Sequence, residues 1–321
     1  MNSPAISIAL PVCNAERYLA AAVSSILGQT FRDFELVAVD DGSTDGSLAI
    51  LQNFARSDPR VQVISRPNTG IVGALNDAWR AARSPLVARM DADDISFPER
   101  FARQVAFLES HPSVVCLGAA VVYLDSVGDP VKPCPRALAH AALEAALLQG
   151  DGGALIHPAI MVRRSALAAV GGYRPEAQYV EDLDLYLRLA RLGRLANLPE
   201  PLLFYRVHPT SINFTRNAGR RATALRVLAD AHRERGLPFD PAAVPSPAQD
   251  WADVAAHDRD WAVTALHYGR RRVALRHALR ACRLQPGNRA AWRCLAYALR
   301  APKPATPAAL PPADWFRAAV T

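Results

Sequence analysis

Lysine is nearly missing from this chain of 321 residues: Lys132 and Lys303 are the only two, so almost all of its 37 basic side chains are arginine. That scarcity excludes chemistry tied to a lysine at a fixed place. A phosphoacceptor receiver domain, suggested by the paired Asp40-Asp41 after an apolar run, needs a lysine after its fifth strand, and none stands there. Neither Gly-x-x-x-x-Gly-Lys nor Gly-x-Gly-x-x-Gly occurs, so a bound diphosphate would have to be held by metal and arginines. The five cysteines (Cys13, Cys116, Cys134, Cys282 and Cys294) are scattered without a Cys-x-x-Cys pair. That pattern argues for reduced thiols and against a zinc site. No apolar run reaches the ~18 residues that span a bilayer. The longest, Val114 to Leu124, contains Gly118 and Tyr123 and reads as a buried strand. Met1-Asn2-Ser3-Pro4 shows no basic stretch before an apolar one, so the expected location is cytoplasmic.

The charge present is uneven. Residues 1–215 carry 19 basic and 22 acidic side chains, whereas 216–321 carry 18 basic and 8 acidic, a net +10 for the last third. Such a tail can be drawn to anionic lipid or nucleic acid, or can be a solvated arginine-rich helix surface.

Residues 6–12 form a β-rich run closing on Asn14, a good helix N-cap, and Leu19, Val23, Ile26 and Leu27 then follow helical spacing. Strands are expected again at 34–39, 61–64 and 86–90, with helices between them and a third helix over 70–83. The alternation predicts an α/β fold: a mostly parallel, Rossmann-like sheet flanked by helices on both faces. Ligands of such sheets sit beyond the carboxyl ends of the strands. Asp40-Asp41 and Asp91-Ala92-Asp93-Asp94 both fall at that edge. Clustered carboxylates are costly unless a cation neutralises them, and a hard divalent ion shared with phosphate oxygens suits them. A solvated acidic turn is the plain alternative. Beyond 123 the alternation lapses: helices are expected over 138–149 and from Glu181, strands over 156–162 and 202–208, and a flexible link at 150–153.

Eight motifs in order then resemble the family 2 glycosyltransferases, inverting enzymes of the GT-A fold that use nucleotide-diphosphate sugars. They are Leu10-Pro11-Val12-Cys13-Asn14, Val39-Asp40-Asp41-Gly42-Ser43-Thr44-Asp45, Gly70-Ile71-x-x-Ala74-Leu75-Asn76 and Ala88-Arg89-Met90-Asp91-Ala92-Asp93-Asp94. They continue with His157-Pro158-x-x-Met161, Gly171-Gly172-Tyr173, Glu181-Asp182-Leu183-Asp184-Leu185 and Tyr205-Arg206-x-His208. Each is weak alone; the ordered set covers residues 6–214.

By that resemblance Pro11, Asn14, Asp40, Asp41, Arg66, Asn76, Arg89, Asp91, Arg206 and His208 are expected on the donor. Asp41 would accept the imide N–H of the base, while Arg206 and His208 would approach the diphosphate. Asp91 and Asp93 form the DXD motif expected on Mg2+ or Mn2+, with Asp94 as a supporting residue or the cap of the next helix. Asp182 corresponds to the general base, and His157 and Glu181 line the acceptor side. The donor expected is a UDP-sugar or dTDP-rhamnose, and the acceptor a glycan or lipid-linked hydroxyl in cell-surface polysaccharide synthesis. A sugar-phosphate nucleotidylyltransferase and a non-catalytic sugar-nucleotide-binding protein are the competing readings.

The catalytic domain is expected over 1–215. Residues 216–321 are expected to form a basic α-helical appendage with one tetratricopeptide-like helix pair, marked by Trp261, Gly269, Ala274, Pro286 and Trp292, and a Pro/Ala-rich segment over 301–312. The pair would dock on the catalytic domain or on a partner. Its arginines are candidates for peripheral contact with the inner face of a membrane; no nucleic acid is expected.

Overall fold

The structure, a computed structural model, describes residues 3–208, 219–245 and 253–301. Strands β1 (Ile6–Val12), β2 (Phe34–Asp41), β3 (Val61–Arg66) and β4 (Leu86–Arg89) alternate with helices α1 (Glu16–Leu27), α2 (Ser47–Ser57) and α3 (Ile71–Ala81). Then follow β5 (Ile95–Ser96), α4 (Arg100–Ser110), β6 (Val114–Leu124), β7 (Pro130–Cys134), α5 (His140–Leu148), β8 (Met161–Arg163), α6 (Arg164–Ala169), α7 (Glu181–Leu189) and β9 (Arg194–Arg206). Four helices close the described chain: α8 (Arg220–Glu234), α9 (Val254–His267), α10 (Arg271–Leu284) and α11 (Arg289–Arg300).

The strands run in the order β3-β2-β1-β4-β8-β6-β9-β5, with β7 added on β6. The first four are parallel, as expected, because each returns through a helix. The other half is mixed: β8 is antiparallel to both neighbours, β9 runs parallel to β6, and β5 and β7 are antiparallel additions. "Mostly parallel" therefore holds for only half the sheet.

Period-two alternation divides the core in two. Ile6, Ile8 and Leu10 of β1 and Leu36 and Ala38 of β2 pack with α1, α2 and α4. Ala9, Val37, Val39 and Val87 face the other way, onto α3, α5, α6, α7 and α8. That second face carries the site, because Pro11, Asp41, Arg66 and Arg89 continue its parity along their strands. Register brings them together: Val12 pairs with Asp40, Asp41 with Arg66, and Ala9 with Arg89.

Three local expectations change. Asn14 does not cap α1; it takes a left-handed conformation (φ 51°), and its Oδ1 accepts from the backbone N–H of Thr44 at 2.8 Å. The strand expected over 156–162 is a 3-10 turn at His157–Ala159 followed by the short β8, since Pro158 has no N–H for a ladder. The final strand begins at Arg194 rather than Leu202. Its prolines are accommodated where Leu198 and then Pro201 pair with consecutive residues of β6, leaving Pro199 and Glu200 in an exposed bulge.

The expected domain boundary at 215/216 lies outside the described residues. By packing, α8 goes with the sheet: Val227, Leu228 and Ala231 share a buried cluster with Leu143, Leu147 and Leu187. The Arg235 guanidinium, just past α8, donates to Glu144 at 2.9 Å and to the Leu187 carbonyl at 2.8 Å. The expected helix pair is α9 and α10, with the arginine run 270–272 opening α10 and α11 added as a third helix. Trp261, Ala265, Val273 and Ala274 of this unit dock on Val131 of β7 and on Val207. Of the Pro/Ala segment, residues beyond 301 lie outside the described residues.

Candidate active site

β4 is only four residues long, so the chain reaches the sheet's carboxyl edge quickly, and the buried Met90 and Ala92 anchor the crossing. Asp91, between them, and Asp93, just after them, are partly exposed. Arg89, itself 4% exposed, grips Asp91 with two bonds of 2.5 and 2.6 Å. Burial pulls the Arg89 pKa down, but Asp91, Tyr173 and Asp94 together outweigh it and raise it. Asp93 meets Nε2 of His208 at 2.8 Å. Asp94 accepts the backbone N–H of Arg206 at 2.7 Å through Oδ1, while its Oδ2 is buried with no hydrogen-bond partner.

These three carboxylates each bring an oxygen within 4.8 Å of the others. Burial, then the charges of Asp93 and Asp91, push the Asp94 carboxyl well above its usual range. Burial raises Asp91 as well, against the pull of Arg89. Crowded hard oxygens, one of them orphaned, are the donor set that a divalent Mg2+ or Mn2+ satisfies, and the residues fit such an ion. Asp94, expected only to support or cap, belongs inside the cluster. It does not cap α4, whose first turn lacks a side-chain cap.

At the carboxyl ends of β2 and β3, Asp41 accepts the backbone N–H groups of Thr69 (3.0 Å) and Gly70 (2.8 Å) and lies 3.2 Å from Nε of Arg66. Gly70 sits at φ 88°, a conformation side-chain-bearing residues avoid, which lets the loop fold onto the carboxylate. Oδ2 of Asp41 still has an acceptor position for a ligand N–H. Arg66 is also paired with Asp77. Pro11 is half-buried on the same face. Asp40 is not: strand alternation turns it to the opposite face, where it is 1% exposed and accepts from Ser65 at 3.2 Å. Asn14 stays at the exposed rim, its side chain tied to Thr44.

Asn76 is a second correction. Its Nδ2 donates to the Tyr173 carbonyl at 2.8 Å, and its Oδ1 accepts from the Tyr173 N–H at 3.0 Å and from Trp79 at 2.8 Å. Those contacts are all internal, and they clamp the Gly171-Gly172-Tyr173 turn to α3.

Asp182 opens α7, and its Oδ1 accepts the N–H of Leu183 at 2.7 Å, a charge placed where the helix dipole favours it. Burial nonetheless raises its pKa, with Leu183, Arg220 and Arg89 pulling the other way. The Asp182 charge is in turn among the causes that raise Asp91, so the two carboxylates share one field across the cleft. Gly152 closes beside it: a Cβ there would lie 3.5 Å from Oδ1 of Asp182. Glu181 is 8% exposed, and burial followed by Asp182 pushes its carboxyl up to about 7. His157 is buried and bonded to the Tyr173 hydroxyl at 2.9 Å. Burial and then Arg89 hold its pKa well below the usual value, and its ring packs against those of Tyr173 and Tyr186.

Arg206 reaches the acidic turn from β9, with Nε donating to the Asp93 carbonyl at 2.7 Å and its guanidinium 4.5 Å over the Tyr18 ring. The two-residue β5, pairing Ile95 with Phe204, is what brings β9 alongside Asp93 and Asp94. Sequence reasoning missed Tyr18, Asp94's place in the cluster and Arg220. Arg220 begins α8 across residues 209–218, which lie outside the described residues. No local spacing could have signalled it; only the packing of α8 on α7 brings it near Asp182.

A family model described as Glycosyl transferase family 2 matches residues 7–171. EpsE of Bacillus subtilis (strain 168) is 35% identical over 230 residues, spanning 68% of this chain and 78% of EpsE. The amylovoran biosynthesis glycosyltransferase AmsE of Erwinia amylovora is 34% identical over 212 residues, 64% of this chain and 78% of AmsE. Among solved structures, S. aureus TarS 1-349 in complex with UDP-GlcNAc superposes with a TM-score of 0.60 at 17% identity, covering 92% of this chain and 87% of that one. The mannosyltransferase PcManGT from Pyrobaculum calidifontis, in complex with GDP-Man and Mn2+, gives 0.51 at 19% identity, covering 100% and 85%. At these identities the structural likeness is one of fold, the GT-A architecture.

Proposed function

The chain belongs to glycosyl transferase family 2, and from that premise we propose that it is an inverting transferase. It moves a sugar from a UDP-sugar or dTDP-rhamnose to a hydroxyl of a glycan or lipid-linked acceptor, in the synthesis of a cell-surface polysaccharide. The observation that carries this reading is the position of Asp182 at the start of α7, in one electrostatic field with Asp91. One carboxylate stands apart to take a proton while three others crowd together to hold a cation.

In that mechanism Asp182 accepts the proton of the acceptor hydroxyl as its oxygen attacks the anomeric carbon in a single displacement. Asp41 receives the imide N–H of the base, which uridine and deoxythymidine present alike. Pro11 packs along the base, and Arg66 holds Asp41 in place. Arg206 and His208 set the diphosphate end by fixing the Asp93-Asp94 backbone and carboxylates. A Mg2+ or Mn2+ held by Asp91, Asp93 and Asp94 would supply charge neutralisation of the leaving diphosphate. Mn2+ in the PcManGT complex supports that choice.

The site of action is the cytoplasmic side of a membrane. Arg271, Arg272, Arg289, Arg293 and Arg300 are exposed on α10 and α11, beside Trp292 at 53% exposure, and suit peripheral contact with anionic lipid. No helix among the described residues is long and apolar enough to cross it.

Incubation with a panel of nucleotide sugars, Mn2+ and a polysaccharide-repeat acceptor tests the reading through the released product. Nucleoside diphosphate from one donor is expected. Pyrophosphate released from a nucleoside triphosphate and a sugar 1-phosphate, with nothing released from the nucleotide sugars, would point to a nucleotidylyltransferase, and no release from either set to a non-catalytic binding protein.

A further inference from the structure

The helical unit α9–α11 touches the sheet domain at the strand end that carries Arg206 and His208, not at a remote surface. Successive residues there face three ways. Arg206 binds the Asp93 carbonyl and, through its own N–H, Asp94. Val207, 7% exposed, inserts into the apolar cluster of Trp261, Ala265, Val273 and Ala274. His208 returns to Asp93. One residue of the donor grip's backbone is therefore a knob in the helical unit.

A polar chain runs parallel to that knob. Nη1 of Arg206 donates to the backbone carbonyl of Asp125 at 3.2 Å, and the Val207 N–H donates to Leu124 at 2.9 Å. The Asp125 carboxylate, 1% exposed, is held from the helical unit by Nε2 of His277 at 3.2 Å and by Arg276. Nδ1 of His277 is in turn 2.7 Å from Asp258 of α9. Both ring nitrogens thus face carboxylates and both must donate, which fixes the imidazole as its doubly protonated form. His257 and Arg280 border the same junction, around a cavity of about 10 Å3, room for a single water.

We propose that His277, with Arg276, is a positioning residue for the donor grip: by clamping Asp125 it sets Arg206, and through Arg206 the Asp93-Asp94 cluster. The helical unit is then part of the catalytic machinery, acting through the Asp258–His277–Asp125–Arg206 chain, and not only an appendage for docking elsewhere. The inference rests on the donor-site reading above, since it assigns the unit to that site.

The test uses the full-length protein and calorimetry with MnCl2 alone, then with UDP, dTDP and GDP each in the presence of MnCl2. His277→Ala is expected to weaken Mn2+ and nucleotide binding about tenfold, the scale on which loss of a supporting partner moves metal affinity. Arg276→Gln, a half-exposed position whose loss leaves the core intact, is expected to shift both in the same direction by less. A role in stability alone would lower the fraction of protein that binds and leave the Kd of the remainder unchanged; that result in both variants overturns the proposal. Wild-type protein that binds neither Mn2+ nor any of the three nucleotides overturns the donor-site reading itself, and this inference with it.

Discussion

Asp182→Asn is expected to cut sugar transfer by about 1,000-fold, roughly 4 kcal/mol of transition-state stabilisation, while nucleotide and Mn2+ binding stay at wild-type strength. The amide keeps the carboxylate's shape, and its oxygen can still accept the Leu183 N–H that now holds Asp182. What it loses is the ability to take a proton. The wild-type enzyme also carries a pH signature. Because burial raises the Asp182 pKa above the usual aspartate value, activity falls on acidification at a higher pH than an ordinary aspartate would give. The sign follows from the role: the base works only when deprotonated, so activity is present above its pKa and lost as pH drops through it. The residual activity of the Asn variant is expected to lack that acid limb. Steady-state rates from about pH 4 to 9 on both proteins, at saturating donor, measure it.

Asp93→Ala is expected to fail in a different way. Asp93 faces the cleft with Asp91 and Asp94, and its carboxylate also receives His208. Removing it deletes one ligand of the cation cluster and the anchor of the residue that closes the diphosphate end. Metal-dependent nucleotide binding should weaken by at least the roughly 100-fold that loss of a supporting partner costs. Calorimetric titration of nucleotide with and without Mn2+ checks it: the metal-dependent gain disappears. Mn2+-dependent binding at full strength in this variant would place the cation elsewhere. The two substitutions thus separate chemistry from binding, one falling on kcat and the other on donor affinity.

Much of this arrangement was legible in the chain because strand ends and helix starts are local. The β-rich runs closing on Asp41 and Arg89 could be laid on a common edge from alternation alone, whereas Glu181-Asp182, beyond the point where alternation lapses, was tied to them only by the family resemblance. What could not be read was decided by contacts between distant residues. Asp94 looked peripheral because its partner, the Arg206 N–H, lies 112 residues away. Asn76 sits in a motif beside donor residues, yet the Tyr173 backbone takes up its amide. Asp40 and Asp41 are neighbours in sequence but on opposite faces, which spacing of one residue in a strand dictates and which the shared motif obscured. Likewise α8 carries four arginines of the basic tail (Arg220, Arg221, Arg226 and Arg233) yet packs its apolar side on α5 and α7. Its arginine excess belongs to the exposed side of a helix whose other side is core.

The proposed positioning role gives the C-terminal helices a task at the site itself. They contact Val207 and, through Arg276 and His277, Asp125, while Arg271, Arg272, Arg289, Arg293 and Arg300 are exposed on a unit already seated on the sheet.

The central claim is a single displacement in which Asp182 frees the acceptor oxygen while the Asp91-Asp93-Asp94 cluster holds the donor. Proton NMR of the product formed from an α-linked nucleotide sugar tests it most directly. The account predicts a β-linked product at the reacting anomeric carbon from the first turnover. An α-linked product would contradict it, because no direct attack assisted by one base retains configuration.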